Sequence, residues 1–324
     1  WQTEGEGRDD LREVRALGEA RGETNEPLVF EGNTLAEISG NTELGAVLDA
    51  KPGVRTGSKV WLGLPNEIKG PTHAVLDNRS GKNLLISGQH DDHVRAMLAA
   101  GMISLAAQNS IEAIRFVLLE TPSPGSTLSL SALAGRLPHE TQVVKGSEIA
   151  EAFRALAEEI DRREGGVGGP AIFVIVHNMS AFKALRPEDE FSISLDDNKG
   201  SPSADFQRVY SEGPVHGIHV IAHVDGFNNA NRFLGRKGLK EFSSRVLFQM
   251  SASDSASFAD DPRAGNLGLN RALLYNEQEG TYETFRPYAR PSAGWLAEVE
   301  EKLRAANGTG QPLATDEAQP RIVS

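Results

Sequence analysis

The residues best placed to do chemistry in this chain of 324 residues lie between positions 83 and 108. An apolar strand pattern at 84–86 runs into Gly88, a short polar loop and an amphipathic helix pattern. This order is typical of a unit that binds nucleotide phosphates. In such a unit the backbone and lysine of a GxxxxGK(S/T) loop surround the phosphates, and the Ser or Thr holds magnesium. The spacing therefore indicates phosphate binding as the chemistry to examine first.

The side chains that this chemistry requires are missing from the loop. The positions of the pattern are filled by Gly88, Gln89, His90, Asp91, Asp92, His93, Val94 and Arg95. His93 replaces the second glycine, Val94 the lysine, and Arg95 the Ser or Thr. Asp91 and Asp92 fall at the start of the helix, where exposed N–H groups and the helix dipole favour carboxylates as they would favour a phosphate. We therefore expect the chain to fill its own anion site and to repel ATP.

Composition excludes several other classes of site. The chain contains no cysteine, so a disulfide framework, a thiolate nucleophile and a thiolate zinc site are excluded. No apolar run approaches the roughly 20 residues that a membrane-spanning helix needs. The formal net charge of −12 argues against broad electrostatic binding to nucleic acid. A local basic patch is formed by Arg232, Arg236, Lys237 and Lys240, for which we favour a solvated helix face over contact with DNA phosphates.

The elements that must position the loop follow from alternating strand and helix patterns. Strand patterns lie at 27–30, 59–64, 73–77, 84–86, 113–119, 171–176, 217–222 and 245–250, and 271–275 with 281–285 form a hairpin. Helix patterns lie at 34–48, 149–163, 180–185, 204–211, 229–242, 253–259 and 294–306, and loops are predicted at 123–137 and 187–203. This alternation predicts an α/β fold with a mostly parallel sheet and helices on both faces.

Three segments are predicted along the chain. Residues 1–26 are polar and charged and are interpreted as a linker or docking helix. Residues 27–307 form the folded domain, and 308–324 are expected to be a disordered tail. Because the chain begins at Trp1 without a signal-like start, we expect it to be a fragment of a longer protein.

The strand segments carry a resemblance to a known family. They read VWLGL at 60–64 with HAVLD at 73–77, AIFVIVHN at 171–178, GIHVIAH at 217–223 and SRVLFQMS at 244–251. Their order resembles that of the motor domain of FtsK/SpoIIIE-type translocases, a RecA-like P-loop branch that includes HerA and the type VII secretion ATPases. The similarity covers most of the chain and implies a RecA-like P-loop NTPase fold.

The same resemblance locates two further parts of the nucleotide site, and both depart from the family's pattern. The second strand normally ends in Asp-Glu, which organise magnesium and activate water, whereas this chain has His177 and Asn178 there. The Thr-Gln sensor corresponds to His223 and Val224. Together with the altered loop, these losses imply a pseudo-ATPase domain without catalytic residues. No cofactor is expected, although the backbone around Gly88 could still donate to the phosphates of a residual ATP–magnesium ligand.

The histidines leave a second interpretation open. His90, His93, His177 and His223 all fall near the ends of predicted parallel strands, which is where ligands bind in open α/β sheets. Imidazole and carboxylate suit zinc or manganese, but spacing alone fixes no ligand set. We therefore favour polar fillers of a vacated nucleotide cleft over a metal site.

Two arginines have both a binding and a structural interpretation. Arg245 corresponds to an arginine near the family's subunit interface and could act in trans on a neighbour's nucleotide. A salt bridge to a nearby acid such as Glu241 is the favoured interpretation. Arg95 could hold an anion from the first turn of its helix, although an arginine there more often pairs with a carboxylate such as Asp91 or Asp92.

From the resemblance we expect a catalytically inactive FtsK/SpoIIIE-like domain in the C-terminal part of a larger, cytoplasmic, ATP-driven DNA translocase. It would stack on an active domain, and its partners would be the rest of its own polypeptide, neighbouring subunits of a ring, and DNA or a protein substrate. One alternative is the protein-recognition domain of a type VII-secretion-like ATPase, in which the vacated region binds a peptide signal. Another is a metal-dependent enzyme that uses the histidine-lined cleft.

Overall fold

The strand and helix patterns of the sequence build one sheet with helices packed on each side of it. The computed structural model describes residues 34–50, 57–122, 125–126, 128–187 and 200–308. The predicted segment 1–26 and the predicted strand at 27–30 lie outside these residues, as do nearly all of the predicted tail and most of the predicted loop at 187–203. The described residues from Leu35 onward belong to one compact unit.

The elements follow one another in an alternating order. The strands are β1 (Gly57–Pro65), β2 (Thr72–Asp77), β3 (Leu84–Ser87), β4 (Ile114–Leu119), β5 (Thr141–Val143), β6 (Ala171–Val176), β7 (Ile218–Val224), β8 (Ser244–Phe248), β9 (Ala272–Asn276) and β10 (Thr281–Pro287). The helices are α1 (Thr42–Leu48), α2 (Asp91–Gln108), α3 (Leu130–Ala134), α4 (Ile149–Glu164), α5 (Pro202–Ser211), α6 (Phe227–Lys240), α7 (Ala252–Ala259) and α8 (Ala293–Ala306).

The ten strands of the described residues form one sheet in the order β2-β1-β10-β9-β8-β3-β7-β6-β4-β5. Strands β8, β3, β7, β6, β4 and β5 pair in parallel. Strands β9, β10, β1 and β2 extend the sheet beyond β8 in antiparallel pairs. The predicted α/β fold with a mostly parallel sheet is confirmed. Because the parallel strands point the same way, the carboxyl ends of β3, β4, β6 and β7 meet at one edge, where ligands bind in such sheets.

Two apolar cores cover the two faces of the sheet. One core packs α1, α2, α3 and α8 against the sheet, and the other packs α4, α5, α6 and α7. Helix α4 illustrates how the sequence produces this arrangement. Its buried residues Ile149, Phe153, Leu156 and Ile160 recur every three or four positions, so they line one face of the helix.

Helix α2 is buried on all sides from Val94 to Gln108. Two of its polar side chains, Ser104 and Gln108, are directed at β1. The N–H of Lys59 donates to Gln108 Oε1 at 2.9 Å, and Gln108 Nε2 donates to the Lys59 carbonyl oxygen at 2.6 Å. The N–H of Trp61 donates to Ser104 Oγ at 3.3 Å. These bonds satisfy backbone groups that would otherwise be buried without partners, and they hold the far end of α2 in place.

Two predicted elements are corrected near capping residues. The helix predicted at 34–48 begins only at Thr42, because the Asn41 side chain accepts the N–H of Leu44 at 2.9 Å and starts a new helix there. A short 3₁₀ turn, Ile38–Gly40, precedes it. The loop predicted at 123–137 contains α3, whose N-terminus is capped by the Ser129 hydroxyl.

Two further corrections concern very short elements. Strand β5 is absent from the predicted strands, because its three residues are too few for a period of two to be recognised. The helix predicted at 180–185 consists of two separate 3₁₀ turns, Met179–Ala181 and Lys183–Leu185. Most other predicted strands and helices are present with their ends moved by a few residues.

The contact between β1 and β10 provides a test of this packing. Gly63 lies where the β1–β2 register shifts, and a Cβ at this position would come within 2.0 Å of the Arg286 carbonyl oxygen. We expect Gly63→Ala to lower the free energy of unfolding by about 2–3 kcal/mol, because the strands must separate to admit the methyl group. Urea unfolding monitored by circular dichroism measures the loss.

The matched control is Gly45→Ala in α1, where a Cβ would meet nothing within 4 Å. That variant is expected to be neutral or slightly stabilising, since alanine favours a helix more than glycine does. Equal losses in the two variants would contradict the close contact at Gly63.

Candidate functional site

The connection between β3 and α2 is a tight turn. Three residues, Gly88, Gln89 and His90, join the two elements, and the helix begins at Asp91. A phosphate-binding loop presents a run of backbone N–H groups ahead of its helix. Here the second half of the eight-residue pattern already belongs to the helix, and the N–H of Val94 donates to the His90 carbonyl oxygen at 3.1 Å. The connection is therefore too short to surround a phosphate in that way.

Three residues at the positions of the phosphate-binding pattern pack against the core of the fold. A Cβ on Gly88 would lie 2.6 Å from Phe248 Cδ2, so the glycine permits β8 to approach. The ring of His93 lies 6.0 Å from that of Phe248 and 5.4 Å from that of His90. Val94, at the lysine position, is fully buried. A glycine that suggested phosphate chemistry is thus required here by a side chain of the neighbouring strand.

A buried guanidinium lies at the centre of the site. Arg95 is 2% exposed. It donates from Nε to Asp91 Oδ2 at 2.7 Å, from Nη1 to Glu120, and from Nη2 to the Thr121 carbonyl oxygen at 2.6 Å. The predicted pair between Arg95 and Asp91 is confirmed. Because two carboxylates surround this one cation, Arg95 offers no uncompensated positive charge to a phosphate.

Glu120 connects this pair to α3. Its carboxylate accepts the N–H of Leu130 at 2.8 Å and that of Ser131 at 2.9 Å. Burial opposes ionisation of Glu120, but these two N–H groups, together with Arg95, hold the pKa of its carboxyl below the usual value. Glu120 is therefore an anion at neutral pH, directed at the guanidinium and at the start of a helix.

His177, at the end of β6, is held as a neutral imidazole. Its Nε2 lies 2.7 Å from Asp91 Oδ1, and its Nδ1 lies 3.0 Å from the Thr121 hydroxyl and 3.5 Å from Arg95 Nη2. Nε2 therefore carries the proton and donates to the carboxylate, while Nδ1 accepts. Burial and the positive charge of Arg95 lower the pKa of His177 more than Asp91 raises it.

His223, at the end of β7, is neutral as well. Its ring stacks on that of His177, with centroids 5.5 Å apart and planes 24° apart. The N–H of Asn178 donates to its Nδ1 at 3.1 Å, so its Nε2 carries the proton and donates to the Gly88 carbonyl oxygen at 2.9 Å. Burial lowers the pKa of His223 to about 4. Asn178 has a φ of 54°, a left-handed conformation that asparagine tolerates.

The structure brings together five predicted site residues and separates the others. Those that meet at the sheet edge are Gly88, Asp91, Arg95, His177 and His223, with the backbone of Asn178 beside them. Gln89, His90 and Asp92 are exposed at the rim, and Arg245 lies near the opposite end of β8.

Sequence reasoning missed Glu120 and Thr121, which complete this network. The signal that could have found them is their position directly after the predicted strand at 113–119. The carboxyl ends of parallel strands share one edge, so polar residues after any of these strands are candidates for the same site.

The imidazoles of this network are occupied by hydrogen bonds. Both ring nitrogens of His177 and both of His223 have protein partners. Within the described part of the chain, no group of three or more His, Asp or Glu side chains has the arrangement needed to hold a metal ion.

Arg245 is paired within its own chain, but its partner is not the one proposed. Its Nη2 donates to Glu277 and to the Leu239 carbonyl oxygen at 2.8 Å, and its Nη1 donates to the Phe258 carbonyl oxygen at 2.6 Å. The favoured salt bridge to an acid of the same chain is therefore confirmed, but the acid is Glu277 and not the suggested Glu241. Strands β8 and β9 run antiparallel, which carries Glu277 back to the start of β8. With these bonds and 4% exposure, Arg245 is directed into its own chain.

Comparisons with known proteins identify the fold. No family model and no curated protein matches the chain. The cytoplasmic domain of the type VII secretion ATPase EccC from Thermomonospora curvata superposes with a TM-score of 0.59 at 17% identity, covering 90% of this chain and 36% of that one. EssC (ATPases 2 and 3) from Geobacillus thermodenitrificans gives 0.58 at 12% identity, covering 88% and 52%. The pCW3 conjugation coupling protein TcpA, with ATPγS, gives 0.54 at 12% identity, covering 78% and 73%. The chain has the fold of the FtsK/SpoIIIE-type P-loop ATPases.

This RecA-like fold confirms the expectation drawn from the strand motifs. The chain spans about a third of the EccC domain and about half of the EssC fragment. Among the described residues, no helix is both long enough and apolar enough to cross a membrane.

Arg95→Met tests the central ion pairs of this FtsK/SpoIIIE-like fold. The variant leaves the buried Glu120 and the neighbouring Asp91 without their cation, so we expect the free energy of unfolding to fall by about 3–5 kcal/mol. The double variant Arg95→Met/Glu120→Gln should recover part of this loss, because it removes the uncompensated charge. Urea unfolding measures both.

The control is Lys302→Met. Lys302 pairs with Asp49 at 2.7 Å while their side chains are 43% and 66% exposed, so the loss should not exceed about 1 kcal/mol. If Arg95→Met lowers the free energy of unfolding no more than Lys302→Met does, the ion pairs of Arg95 do not stabilise the fold more than an exposed pair, and the prediction is refuted.

The neutral histidines predict a dependence of stability on pH. An unfolded histidine titrates near 6.5, whereas His223 in the fold titrates near 4. Between these values the unfolded state binds more protons, so stability falls as the pH decreases from about 7 to 4. The part due to His223 is about 3 kcal/mol. The amide of His223→Gln can keep both hydrogen bonds but does not titrate. We therefore expect its free energy of unfolding to fall by about 3 kcal/mol less than that of the unmodified chain between pH 7 and 4.

The measurement is a series of urea unfolding curves at pH values from 7 to 4. The control is Gln89→Asn, because Gln89 is exposed and does not titrate; the pH dependence of this variant should match that of the unmodified chain. A His223→Gln profile parallel to that of the unmodified chain would show that this imidazole is not held neutral by the fold.

Proposed function

We propose that this chain is a catalytically inactive, FtsK/SpoIIIE-like domain of a larger, cytoplasmic, ATP-driven DNA translocase, with a role in assembly or substrate contact. The observation that carries the proposal is the closed network of Asp91, Arg95, Glu120 and His177 at the edge where this fold binds nucleotide. Every charged group in that network already has a partner in the chain.

The chemistry of this network opposes ATP hydrolysis. P-loop ATPases need a lysine on the phosphates, a carboxylate for magnesium and a group that orients the attacking water. Here the lysine position is the buried Val94, and the end of β6 presents the neutral His177 and the backbone of Asn178. The carboxylates Asp91 and Glu120 are engaged by Arg95, and displacing them would leave a buried guanidinium unpaired, which costs several kcal/mol.

The coverage of similar structures supports a role within a larger assembly. The EccC and EssC structures continue well beyond the part that this chain matches. An inactive domain with an intact scaffold could stack on an active domain and complete a ring without turning over ATP. Its partners would then be other domains of the same polypeptide, neighbouring subunits, and DNA.

Binding of a fluorescent ATP analogue, with and without magnesium, tests the proposal directly. We expect no saturable binding up to about 1 mM nucleotide, which corresponds to less than about 4 kcal/mol of binding free energy. The variant Asp91→Ala/Asp92→Ala removes the two carboxylates from the start of α2. It should not restore magnesium-dependent binding, because the connection between β3 and α2 stays short.

Magnesium-dependent binding by the unmodified chain with a Kd below about 0.1 mM would overturn the proposal and make nucleotide a structural or regulatory ligand. If only the double variant binds nucleotide, the proposal of an inactive domain stands. The carboxylates of Asp91 and Asp92, and not the short connection, would then be the reason that the unmodified chain does not bind it.

Recognition of a protein substrate is the second candidate function. The observation that favours it is the similarity to Thermomonospora curvata EccC (ATPases 2 and 3) in complex with a signal sequence peptide, with a TM-score of 0.51 at 17% identity. In this version the domain would contact a secreted protein in place of DNA. Both candidates share the inactive nucleotide site.

A further inference from the structure

A surface cavity of about 460 Å³ lies between α6 and α7. Its floor includes Arg245 near the start of β8, whereas the vacated nucleotide edge lies at the opposite, carboxyl end of β3 and its neighbours. The volume is within the range of about 300–1,000 Å³ that small-molecule sites occupy. The proposed function makes no use of this cavity.

The rim of the cavity carries two cations without an ion-pair partner among the described residues. Arg236 and Lys240, on the last turns of α6, are exposed and line the cavity. Neither makes an ion pair or hydrogen bond with any residue that the structure describes. Helix α6 is interrupted at Gly235, whose φ of 62° and ψ of −179° are not helical, so these two residues follow a break in the helix.

The acids around the cavity leave a positive excess. Asp260 and Glu277 also line it, but Glu277 is engaged by Arg245. Three cations therefore face two carboxylates in a chain whose net charge is −12. The Nε of Arg245 is buried and has no acceptor among the described residues.

One part of the cavity wall is apolar, and Asn231 and Ser257 make another part polar. Phe227 and Phe258 line the apolar part together with Leu239, and the two phenyl rings meet edge to face with centroids 5.2 Å apart. A ligand that fits must therefore combine a strongly anionic group with an apolar part. A phosphate monoester has three acceptor oxygens and close to two negative charges at neutral pH, so it can accept hydrogen bonds from Arg236 and Lys240 together, whereas a carboxylate has two acceptor oxygens and one charge.

We propose that this cavity binds a small phosphate monoester. The phosphate lies between Arg236 and Lys240, where both side chains can donate hydrogen bonds to its oxygens. The apolar part of the ligand packs against Phe227, which is partly exposed and rests on the buried ring of Phe258. This assigns a ligand site to part of the basic patch on α6, which the sequence alone presents as a solvated surface.

Isothermal titration calorimetry with phenyl phosphate at low ionic strength tests the proposal. We expect saturable binding with a Kd of about 1 mM, weaker binding of inorganic phosphate, and none of benzyl alcohol. The variant Arg236→Gln/Lys240→Gln should weaken binding of phenyl phosphate at least about tenfold, because it removes both unpartnered cations. Both residues are exposed, so the fold is not at risk.

The matched control is Arg232→Gln/Lys237→Gln, which removes the same charge from the same helix but from residues that do not line the cavity. It should change the Kd by less than about twofold, since exposed charges outside the site are screened by salt and solvent. Equal weakening by the two double variants, or no saturation by phenyl phosphate at about 10 mM, would overturn the proposal. Binding of a single-stranded oligonucleotide that both double variants weaken equally would also overturn it and assign the patch to nucleic acid.

Discussion

The buried guanidinium of Arg95 is the constraint on which the nucleotide edge depends. A buried charge is tolerated only when it is paired and its hydrogen bonds are satisfied, so the chain must deliver acceptors from several elements at once. Asp91 comes from the same helix, Glu120 and Thr121 follow β4, and His177, at the end of β6, is held by Asp91. The same Glu120 carboxylate accepts the first N–H groups of helix α3. One cation thereby ties three segments of the fold together.

This arrangement replaces the electrostatics of a nucleotide site with a self-neutralised network. In an active site of this fold, positive charge and backbone N–H groups await a phosphate and a metal ion. Here the positive charge is used by the chain's own carboxylates, and further protonation is resisted. Burial and the cation of Arg95 keep His177 neutral, and burial keeps the stacked His223 neutral. The charged groups of this network thus neutralise one another within the fold.

The charged and polar side chains at the two ends of the parallel strands differ in how completely they are paired within the chain. At the carboxyl ends, the polar groups of Arg95, His177 and His223 are bound within the chain. Near the start of β8, Arg245 pairs with Glu277, but the cavity beside it leaves Arg236 and Lys240 exposed. At the edge where open α/β sheets bind ligands, the chain pairs its own charged groups. Where the sequence indicates plain surface, the structure offers an open, positively charged cavity.

The RecA-like arrangement was expected only from the resemblance of the strand motifs to a known family. The sequence by itself determined the order of strands and helices and the residue types at the positions of the phosphate-binding pattern. These follow from local periods and from residue types at fixed spacing, which neighbouring positions are enough to define. Only the tertiary structure decided that Glu120 completes the Arg95 network, that Glu277 and not Glu241 holds Arg245, and that the turn after β3 is short. Ion pairs between distant residues depend on which strands lie side by side and on how far a side chain reaches. Neither quantity exists until the sheet has formed.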